Sequence, residues 1–519
     1  MVRLTARSGP VALAATYGPA LLMGVLATVV SLRTPLWRDE IATLSFAELP
    51  FADLMQAITH VDAVMLPYYV VAHLTQVVMP GPLGLRLPSI LGVMIATAAT
   101  AALAGRWWGP WAAGAGGLAL AVNPLLITQG STARPYALAT CFVALAGLAL
   151  AQALWPRNRP EGDTRTVVAP WVGYAVCVAL AGLMHLFSLF CLPALLLLAI
   201  VARRTLRWLI ATGLGVAVVL PLVVFAFGQR GQVDWIQRPT LRSGFGALAT
   251  LLTFRGDANV GPTQWLALAL AALAAVAGIA AVVLLPRSER LVEAGRVGFA
   301  LLAFFGPWLM LFAISLVWTP YLRNTYLTPS LVGFGVLMGA IAGLGGRWVA
   351  GAGRGGGWRR FAVASVVVAP LVLSAAMSVN VVVRPWYVDD IPGLGRAITA
   401  AAQPGDVIAV VQLHNEVGVA SGLARVLGDV GYTTELQSQL VTGGQPALGL
   451  RRIVSLEPVR TEPIDRVPPT GAVWVVYTRG AISADDFSKG AASIGCRSSD
   501  LVDVGSYGIL RLASASCTR

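Results

Sequence analysis

Three consecutive charged residues, Arg38, Asp39 and Glu40, follow a long apolar stretch near the start of the chain. They lie in the segment PLWRDEIATLS, which runs from Pro35 to Ser45. A carboxylate in such a position can remove a proton from an incoming hydroxyl group. Charges at this point are also typical of a helix end that meets water, so the neighbouring polar residues must decide between the two interpretations.

A further carboxylate, Asp62, follows in the same polar loop after the first apolar stretch, and arginines recur in two later loops. Arg134 and Tyr136 belong to QGSTARPYAL, and Arg323 belongs to TPYLRNTYLTP. Arginine binds phosphate through paired N–H groups, so a carboxylate with arginines beside it suits transfer from a lipid-linked phosphate donor. The phosphate then leaves already neutralised, and we expect no nucleotide cofactor and no metal.

Each of these residues also has a simpler explanation. Asp62 could cap the start of a helix. Arg134 and Arg323 could extend along the membrane surface as interfacial arginines. His73 and His185 are more typical of structural histidines. The sequence alone leaves these alternatives open.

The composition is that of a polytopic membrane protein. Of the 519 residues, 57% are hydrophobic and only 12% are charged, whereas soluble domains carry about 25% charged residues. Residues 1–382 combine 25 arginines with 11 acids, and residues 383–519 combine 12 basic residues with 13 acids. The net charge of +13 therefore belongs to membrane loops and does not indicate a nucleic-acid partner.

Eleven apolar segments are long enough to span a bilayer. They cover residues 11–32, 86–104, 111–128, 134–154, 169–186, 188–202, 207–227, 262–285, 297–318, 325–345 and 361–382. The loop arginines favour a cytoplasmic N-terminus in the plasma membrane. The shorter segment 64–79 contains Pro67 and His73, and it is predicted to be a juxtamembrane helix at the outer interface. Residues 33–85 then form one large outer loop, and the odd number of spans places the C-terminus outside.

The C-terminal segment, residues 383–519, is polar and alternates helical runs with short strand-like runs. The strand-like runs are DVIAVV from Asp406, RRIVSL from Arg451, AVWVVYT from Ala472 and YGILRL from Tyr507. This alternation predicts a small extracytoplasmic α/β domain, joined by a linker near Arg384–Pro385 to a membrane domain of residues 1–382. Outside the cytoplasm, Cys496 and Cys517 could form a disulfide.

Four motifs in chain order resemble the GT-C membrane glycosyltransferases. They are WRDEIATLS, HVDAVMLPYYVVAHL, LRLPSILGV and STARPYAL. The resemblance is greatest to the branch of protein O-mannosyltransferases and aminoarabinose transferases, in its actinobacterial form. LRNTYLTPSLVGF is similar to the late arginine–tyrosine segment of that group. The resemblance covers residues 1–382 and extends to the C-terminal segment.

The resemblance implies that a sugar is transferred with inversion from a polyprenyl-phosphate donor. Asp39 matches the catalytic base, Glu40 its neighbour in the Asp-Glu motif, and Asp62 the second acidic position of the loop. Arg134 and Arg323 match arginines expected near the donor phosphate. The full set of candidate donor-binding residues is Arg38, Arg134, Tyr136 and Arg323.

Two motifs depart from the pattern of this family. Met65 and Leu66 stand where related proteins often have His-Gly, and Ser131–Arg134 replaces a Gln-Glu-Ala-Arg motif, so the glutamate is missing.

The expected function is transfer of a sugar, mannose in the first instance, to a glycan, lipid or protein acceptor outside the cytoplasm. The alternatives are a polytopic transporter or flippase, and a GT-C-like scaffold that binds lipid phosphate without catalysis.

Overall fold

The structure is a computed structural model in which two compact units are distinguished. It describes residues 9–59, 62–156, 164–229, 236–254, 260–351, 356–383, 391–401, 407–411, 453–456, 472–478, 496–504 and 507–517. The first unit comprises residues 1–32, 62–71 and 83–385, and the second comprises residues 33–61, 72–82 and 386–519. The predicted linker at Arg384–Pro385 lies outside the described residues.

Helices make up the described chain as far as Ala401. They are α1 (Pro10–Arg33), α2 (Arg38–Ala47), α3 (Phe51–Ala57), α4 (Leu66–Val78), α5 (Pro82–Trp108), α6 (Pro110–Ala121), α7 (Pro124–Gly130), α8 (Tyr136–Leu154), α9 (Thr164–Met184), α10 (Leu192–Val201), α11 (Thr205–Gly228), α12 (Leu241–Thr253), α13 (Pro262–Val283), α14 (Arg287–Val317), α15 (Leu331–Ala350), α16 (Gly357–Val383) and α17 (Ile391–Ala401). Short 3₁₀-helices cover Ala63–Met65, Leu186–Cys191 and Asn324–Ser330.

Within the described residues, eight helices are long and apolar enough to cross a membrane. They are α1, α5, α8, α11, α13, α14, α15 with its preceding 3₁₀-helix, and α16. The bent pair of α6 and α7 would make a ninth span. The polytopic class is therefore confirmed. Two further predicted spans correspond to the shorter apolar helices α9 and α10, so the count of eleven stays a prediction.

The most buried span lies at the centre of the first unit. In the segment Asn324–Ala350, which contains α15, 89% of the apolar window is buried, against 22% for both α13 and α16. Since α13 and α16 direct most of their apolar side chains outward, they have the character of lipid-facing helices. The core is therefore built around α15.

Glycines allow α6 and α15 to pack closely. A Cβ atom on Gly116 would lie 2.8 Å from the carbonyl oxygen of Gly335, and one on Gly339 would lie 2.9 Å from that of Ala112. Small residues permit such close approach between helices in a membrane. A larger side chain at either glycine would have to push the two backbones apart.

The break between α6 and α7 bends the chain by 68° at Asn123–Pro124. Asn123 is fully buried, and its Oδ1 accepts a hydrogen bond from the Leu126 N–H at 2.9 Å. Its Nδ2 donates to the Leu251 carbonyl of α12 at 2.7 Å. Because Pro124 needs no N–H partner at the first helical position, α7 can start directly after Asn123. One asparagine thus caps α7 and ties the bend to α12.

The segment predicted as a juxtamembrane helix, residues 64–79, forms the 3₁₀-helix Ala63–Met65 followed by α4. The combined apolar helix, Ala63–Val78, is shorter than the spanning helices. The apolar segments Val168–Met184 and Leu186–Val201, which correspond to predicted spans, are of similar length, so that this length does not test whether the segment spans the membrane. Its placement at the outer interface stays a prediction.

The second unit contains a five-stranded sheet. Its strands are β1 (Val407–Val411), β2 (Ile453–Leu456), β3 (Ala472–Thr478), β4 (Cys496–Val504) and β5 (Tyr507–Cys517). Their order is β2-β1-β3-β5-β4, with parallel pairing around β1 and antiparallel pairing around β5. The strands β1, β2, β3 and β5 overlap the four predicted strand-like runs, and β4 is an additional strand, while the α/β domain as such stays a prediction. The register places Cys496 opposite Cys517, while the domain boundary near residue 382 stays a prediction.

Candidate functional site

Asp39 and Glu40, two of the acidic residues of the first loop, lie in the first turn of α2, in the second unit. Glu40 is fully buried, and one of its carboxylate oxygens accepts a hydrogen bond from the Trp37 N–H at 3.4 Å. Such a bond caps the start of a helix, and a negative charge there is favoured by the helix dipole. Asp39 is half-buried. The structure therefore gives Glu40 a capping role, and the role of Asp39 as the base stays a prediction.

His73 supports α2 from the neighbouring helix α4, within the same unit. Its Nδ1 lies 2.8 Å from the Ala47 carbonyl oxygen at the end of α2, and its ring packs against Phe51 at 6.4 Å. A last-turn carbonyl of a helix is a favourable partner for a histidine. These contacts agree with the structural interpretation of His73.

Asp62 belongs to the first unit and precedes the 3₁₀-helix Ala63–Met65. Its backbone is left-handed, with φ 55° and ψ 33°. Its carboxylate accepts a hydrogen bond from the Tyr69 hydroxyl at 3.2 Å. The next N–H, that of Ala63, donates to the side chain of Gln229 at 2.9 Å. The side chain of Asp62 is thus bonded to a tyrosine, and the helix-capping alternative does not account for this arrangement.

Arg134 lies in the turn between α7 and α8, two residues before Tyr136. Its carbonyl oxygen accepts a hydrogen bond from the Ser89 hydroxyl of α5 at 3.2 Å. Ser89 also lies 3.2 Å from the Tyr68 hydroxyl of α4. Because Tyr68 and Ser89 are both buried, this polar chain fixes the turn that carries Arg134.

An aromatic cluster collects the candidate donor-site segments of the first unit around His185. The ring centroid of His185 lies 5.2 Å from that of Tyr136 and 4.9 Å from that of Tyr326. Phe187 stacks on Tyr326 at 5.5 Å. The Tyr326 N–H donates to the Arg323 carbonyl, so the segment that carries the exposed Arg323 is attached to this cluster. The structure thus brings Tyr136 together with the Arg323 segment.

His185 lies in the turn between α9 and the 3₁₀-helix Leu186–Cys191, at the end of the predicted span 169–186, and its side chain is half-buried. This central position of His185 was not predicted from the sequence, where a lone histidine at a helix end is a weak signal.

Arg86 is almost completely buried at the start of α5. One guanidinium nitrogen donates to the Ser31 carbonyl in the last turn of α1 at 2.6 Å. A cation is stabilised at this position because the C-terminal end of a helix carries partial negative charge. The available sequence signal is an arginine within the apolar run LRLPSILGV, since charges inside such runs are commonly functional.

These contacts place several polar residues at one end of the helices, here named the Arg86 end. It comprises Ser31, Asp62, Tyr69, Arg86, Ser89, Arg134, Tyr136, His185, Gln229 and Tyr326. The other end of α5 and α8 is about 35–40 Å away along α5, a helix of 27 residues. Arg38, Asp39 and Glu40 belong to the second unit, so their joint action with the Arg86 end stays a prediction.

The opposite end of the same helices is named the Arg296 end. It comprises Arg106, Trp107, Trp108, Trp155, Glu293 and Arg296. Arg296 pairs with Glu293 at 2.7 Å, and its guanidinium lies over the rings of Trp107 and Trp155 at 5.6 and 5.3 Å. The Trp108 indole N–H donates to Glu293 at 2.7 Å. These contacts join α5, α8 and α14, which indicates a structural clamp.

A domain model matches part of this chain. The model of the N-terminal domain of the protein O-mannosyl-transferase TMEM260 matches residues 51–208. The matched segment contains Asp62, Arg134, Tyr136 and His185, and it begins after Asp39 and Glu40. No curated protein matches the chain at a significant level.

Solved structures with a similar fold include two of ArnT from Cupriavidus metallidurans. The apo structure has a TM-score of 0.53 at 12% identity, and the match covers 97% of this chain and 99% of the ArnT chain. The structure bound to undecaprenyl phosphate has a TM-score of 0.50 at 13% identity, with coverage of 97% and 100%. At this identity the likeness shows the fold alone, which is similar to that of ArnT, and membership of the GT-C glycosyltransferases stays a prediction.

The expectation that no metal takes part stays a prediction. Among the described residues, no group of three or more His, Cys, Asp or Glu side chains could hold a metal ion. The Arg86 end combines arginines with aromatic rings and the carboxylate of Asp62. Arginines of this kind suit a phosphate, and tyrosines supply hydroxyl groups that can bind either phosphate or sugar.

Proposed function

We propose that this protein is a membrane glycosyltransferase that transfers a sugar, mannose in the first instance, from a polyprenyl-phosphate donor to an extracytoplasmic acceptor. The observation that carries the proposal is the Arg86 end, where the rings of Tyr136 and Tyr326 meet around His185. Arg134 precedes Tyr136 by two residues, and Arg323 precedes Tyr326 by three. The domain match and the ArnT-like fold support it. One of the similar ArnT structures is bound to undecaprenyl phosphate, which makes a polyprenyl phosphate the first donor to test.

In the proposed reaction, Asp39 removes the proton of the acceptor hydroxyl. The hydroxyl oxygen forms a bond to the anomeric carbon, while the bond from that carbon to the phosphate oxygen breaks on the opposite face. The sugar is transferred with inversion, and the bonding electrons leave with polyprenyl phosphate. Arg134 and Arg323, with Arg38, stabilise the negative charge on the leaving phosphate. Glu40 holds the first turn of α2, which carries Asp39.

The proposal includes a topology. The N-terminus lies in the cytoplasm, eleven segments span the plasma membrane, and residues 33–85 form an outer loop. The helices α9 and α10 are then two of the spans. The C-terminal segment, residues 383–519, forms an extracytoplasmic α/β domain that contributes to acceptor binding. The positive-inside distribution of the loop arginines supports this orientation.

The test is transfer of radiolabelled mannose from polyprenyl-phosphate mannose to membranes of a strain that lacks the protein, since these supply the acceptor. The wild-type protein should produce labelled acceptor, and Asp39→Asn should reduce the rate at least about 100-fold. Asp53→Asn is the matched control, because Asp53 is also a first-turn carboxylate in the second unit. Equal rates for Asp39→Asn and wild type would refute the role of Asp39.

A transporter or flippase is the second candidate, and the bend between α6 and α7 favours it, because transporters commonly use broken helices. A transporter in proteoliposomes would move the lipid-linked sugar across the bilayer without forming a glycosidic bond. A third candidate, a scaffold without catalytic activity, would bind polyprenyl phosphate and produce no labelled acceptor. Measuring both the movement of the lipid-linked sugar across the bilayer and the labelled acceptor, in proteoliposomes that contain the acceptor, separates all three functions.

A further inference from the structure

Asp62 adopts a backbone conformation that its position in the fold does not explain. The described residues include three non-glycine residues with positive φ, namely Asp62, Arg203 and Phe254. Arg203 and Phe254 lie just after α10 and α12, where a left-handed residue commonly ends a helix. Asp62 instead precedes a helix, where the cap residue is normally extended. Its conformation is therefore imposed by other contacts.

One such contact fixes the direction of the Asp62 carboxylate. The Tyr69 hydroxyl donates to one carboxylate oxygen at 3.2 Å. The Tyr69 side chain is fully buried in the first turns of α4, so its hydroxyl is held by packing. A buried tyrosine places its hydroxyl accurately, since the ring has few rotamers. The hydroxyl of Tyr69 therefore orients the carboxylate of Asp62.

A second contact fixes the backbone next to Asp62. The Ala63 N–H donates to the side-chain oxygen of Gln229 at 2.9 Å, across 166 residues of sequence. Gln229 is the C-cap residue directly after α11, and Ala63 is buried. The end of the first loop is thereby tied to the end of a long helix. This bond holds the peptide after Asp62 and so maintains the left-handed turn.

We propose that Tyr69 and Gln229 are positioning residues that hold the Asp62 carboxylate as the acceptor-binding group of this protein. A carboxylate accepts hydrogen bonds from hydroxyl groups, whereas it repels a phosphate of like charge. Asp62 therefore suits the hydroxyls of a sugar, a serine or a threonine and does not suit the donor phosphate. The inference rests on the proposed function and adds an acceptor subsite to it.

Substitutions at Asp62 separate the carboxylate from the backbone conformation. Glycine adopts the left-handed region without strain and has no carboxylate, and asparagine tolerates that region and has no charge. Asp62→Gly and Asp62→Asn should both lower the rate of mannose transfer at saturating donor, by about 10- to 100-fold, with an unchanged KM for polyprenyl-phosphate mannose. Wild-type rates in Asp62→Gly would overturn the inference.

Substitutions at Gln229 separate the hydrogen bond from packing. Gln229→Glu keeps an oxygen that can accept from the Ala63 N–H, whereas Gln229→Met keeps the side-chain length and loses the acceptor. We expect about tenfold slower transfer for Gln229→Met and recovery for Gln229→Glu, again with unchanged donor KM. Tyr69→Phe removes only the hydroxyl and should match Gln229→Met. Equal activity of the Glu and Met variants would contradict the positioning role.

The assay uses the full-length protein in membranes of the deletion strain, with Asp39→Asn measured in parallel. If Asp39→Asn abolishes transfer and the Asp62, Tyr69 and Gln229 variants do not reduce it, this inference fails and the proposed function stands. If the wild-type protein transfers no mannose, both fail. A rise in donor KM at unchanged maximal rate would assign Asp62 to the donor side and overturn the acceptor subsite.

Discussion

At the Arg86 end, Arg86 of α5 donates a hydrogen bond to a backbone carbonyl of α1. At the Arg296 end, Arg296 of α14 pairs with the carboxylate of Glu293, and its guanidinium lies over the rings of Trp107 and Trp155. The Arg296 end thus matches Arg296 with a carboxylate and two rings. The Arg86 end combines arginines, a histidine, tyrosines and a left-handed aspartate. The first arrangement suits a clamp between helices, and the second suits the binding of a phosphate and a hydroxyl.

The comparison predicts that charge at the Arg86 end is needed for activity. Arg134→Gln should slow mannose transfer about 100-fold or more, because one cationic group that stabilises the leaving phosphate is lost. Arg347→Gln is the control, since Arg347 forms an exposed ion pair with Glu289 away from the Arg86 end. Both are measured as initial rates per folded protein. If Arg134→Gln lowers the unfolding temperature and leaves the rate intact, the Arg86 end is structural as well.

The comparison also predicts that charge at the Arg296 end is needed for stability. Glu293→Gln should lower the free energy of unfolding by about 3 kcal/mol, because Arg296 then keeps its charge in a buried place without a carboxylate. Glu289→Gln removes a carboxylate from an exposed pair on the same helix and should cost about 0.5 kcal/mol. Thermal unfolding in detergent measures both. Slower transfer at an unchanged unfolding temperature would contradict the clamp.

A third prediction concerns the bend that leads to Arg134. Asn123→Ala removes the acceptor for the Leu126 N–H and the donor to the Leu251 carbonyl, both in a fully buried site. We expect a loss of about 2 kcal/mol in the free energy of unfolding, because these backbone groups lose their partner. Ser378→Ala removes one bond to the Val122 carbonyl at the same bend and should cost about 1 kcal/mol. Equal unfolding temperatures for Asn123→Ala and wild type would show that the bend does not depend on Asn123.

Local patterns predicted most of the helices and strands, because apolar length and β-branched runs are properties of short segments. The strand β4, with the sequence CRSSDLVDV, was missed since it is polar and is a strand through its pairing with β5. The bend at Asn123–Pro124 carried a turn signal that could have been used. The helix pair α9 and α10 shows the limit of counting spans, because the apolar segments Val168–Met184 and Leu186–Val201 have at most 17 residues.

The site was only partly predictable from the sequence. Arg134 and Tyr136 were identified by their motif, and the structure places Tyr136 in the cluster around His185. The roles of Arg86 and Gln229 arise from hydrogen bonds across 55 and 166 residues of sequence, which a single sequence does not encode in any local pattern. The left-handed backbone of Asp62 likewise depends on partners that lie elsewhere in the fold.

The last prediction identifies which end of the helices faces outward. Cys496 and Cys517 occupy directly opposed positions of the antiparallel strands β4 and β5, at a separation that a disulfide can bridge. If the C-terminal segment is extracytoplasmic, as we propose, this pair should be oxidised in cells, since disulfides persist in oxidising compartments. Transfer should be almost unchanged in Cys496→Ser, because the proposed reaction uses neither thiol.

The measurement is alkylation of the denatured protein before and after reduction. Three of the five cysteines, Cys141, Cys177 and Cys191, are free thiols in the helices, so three labels are expected before reduction and five after it. Cys496→Ser should leave four labels in both conditions. Five labels without reduction would favour a cytoplasmic C-terminal segment. With an odd number of spans, the Arg86 end would then face the cytoplasm, and the proposed extracytoplasmic acceptor would have to be abandoned.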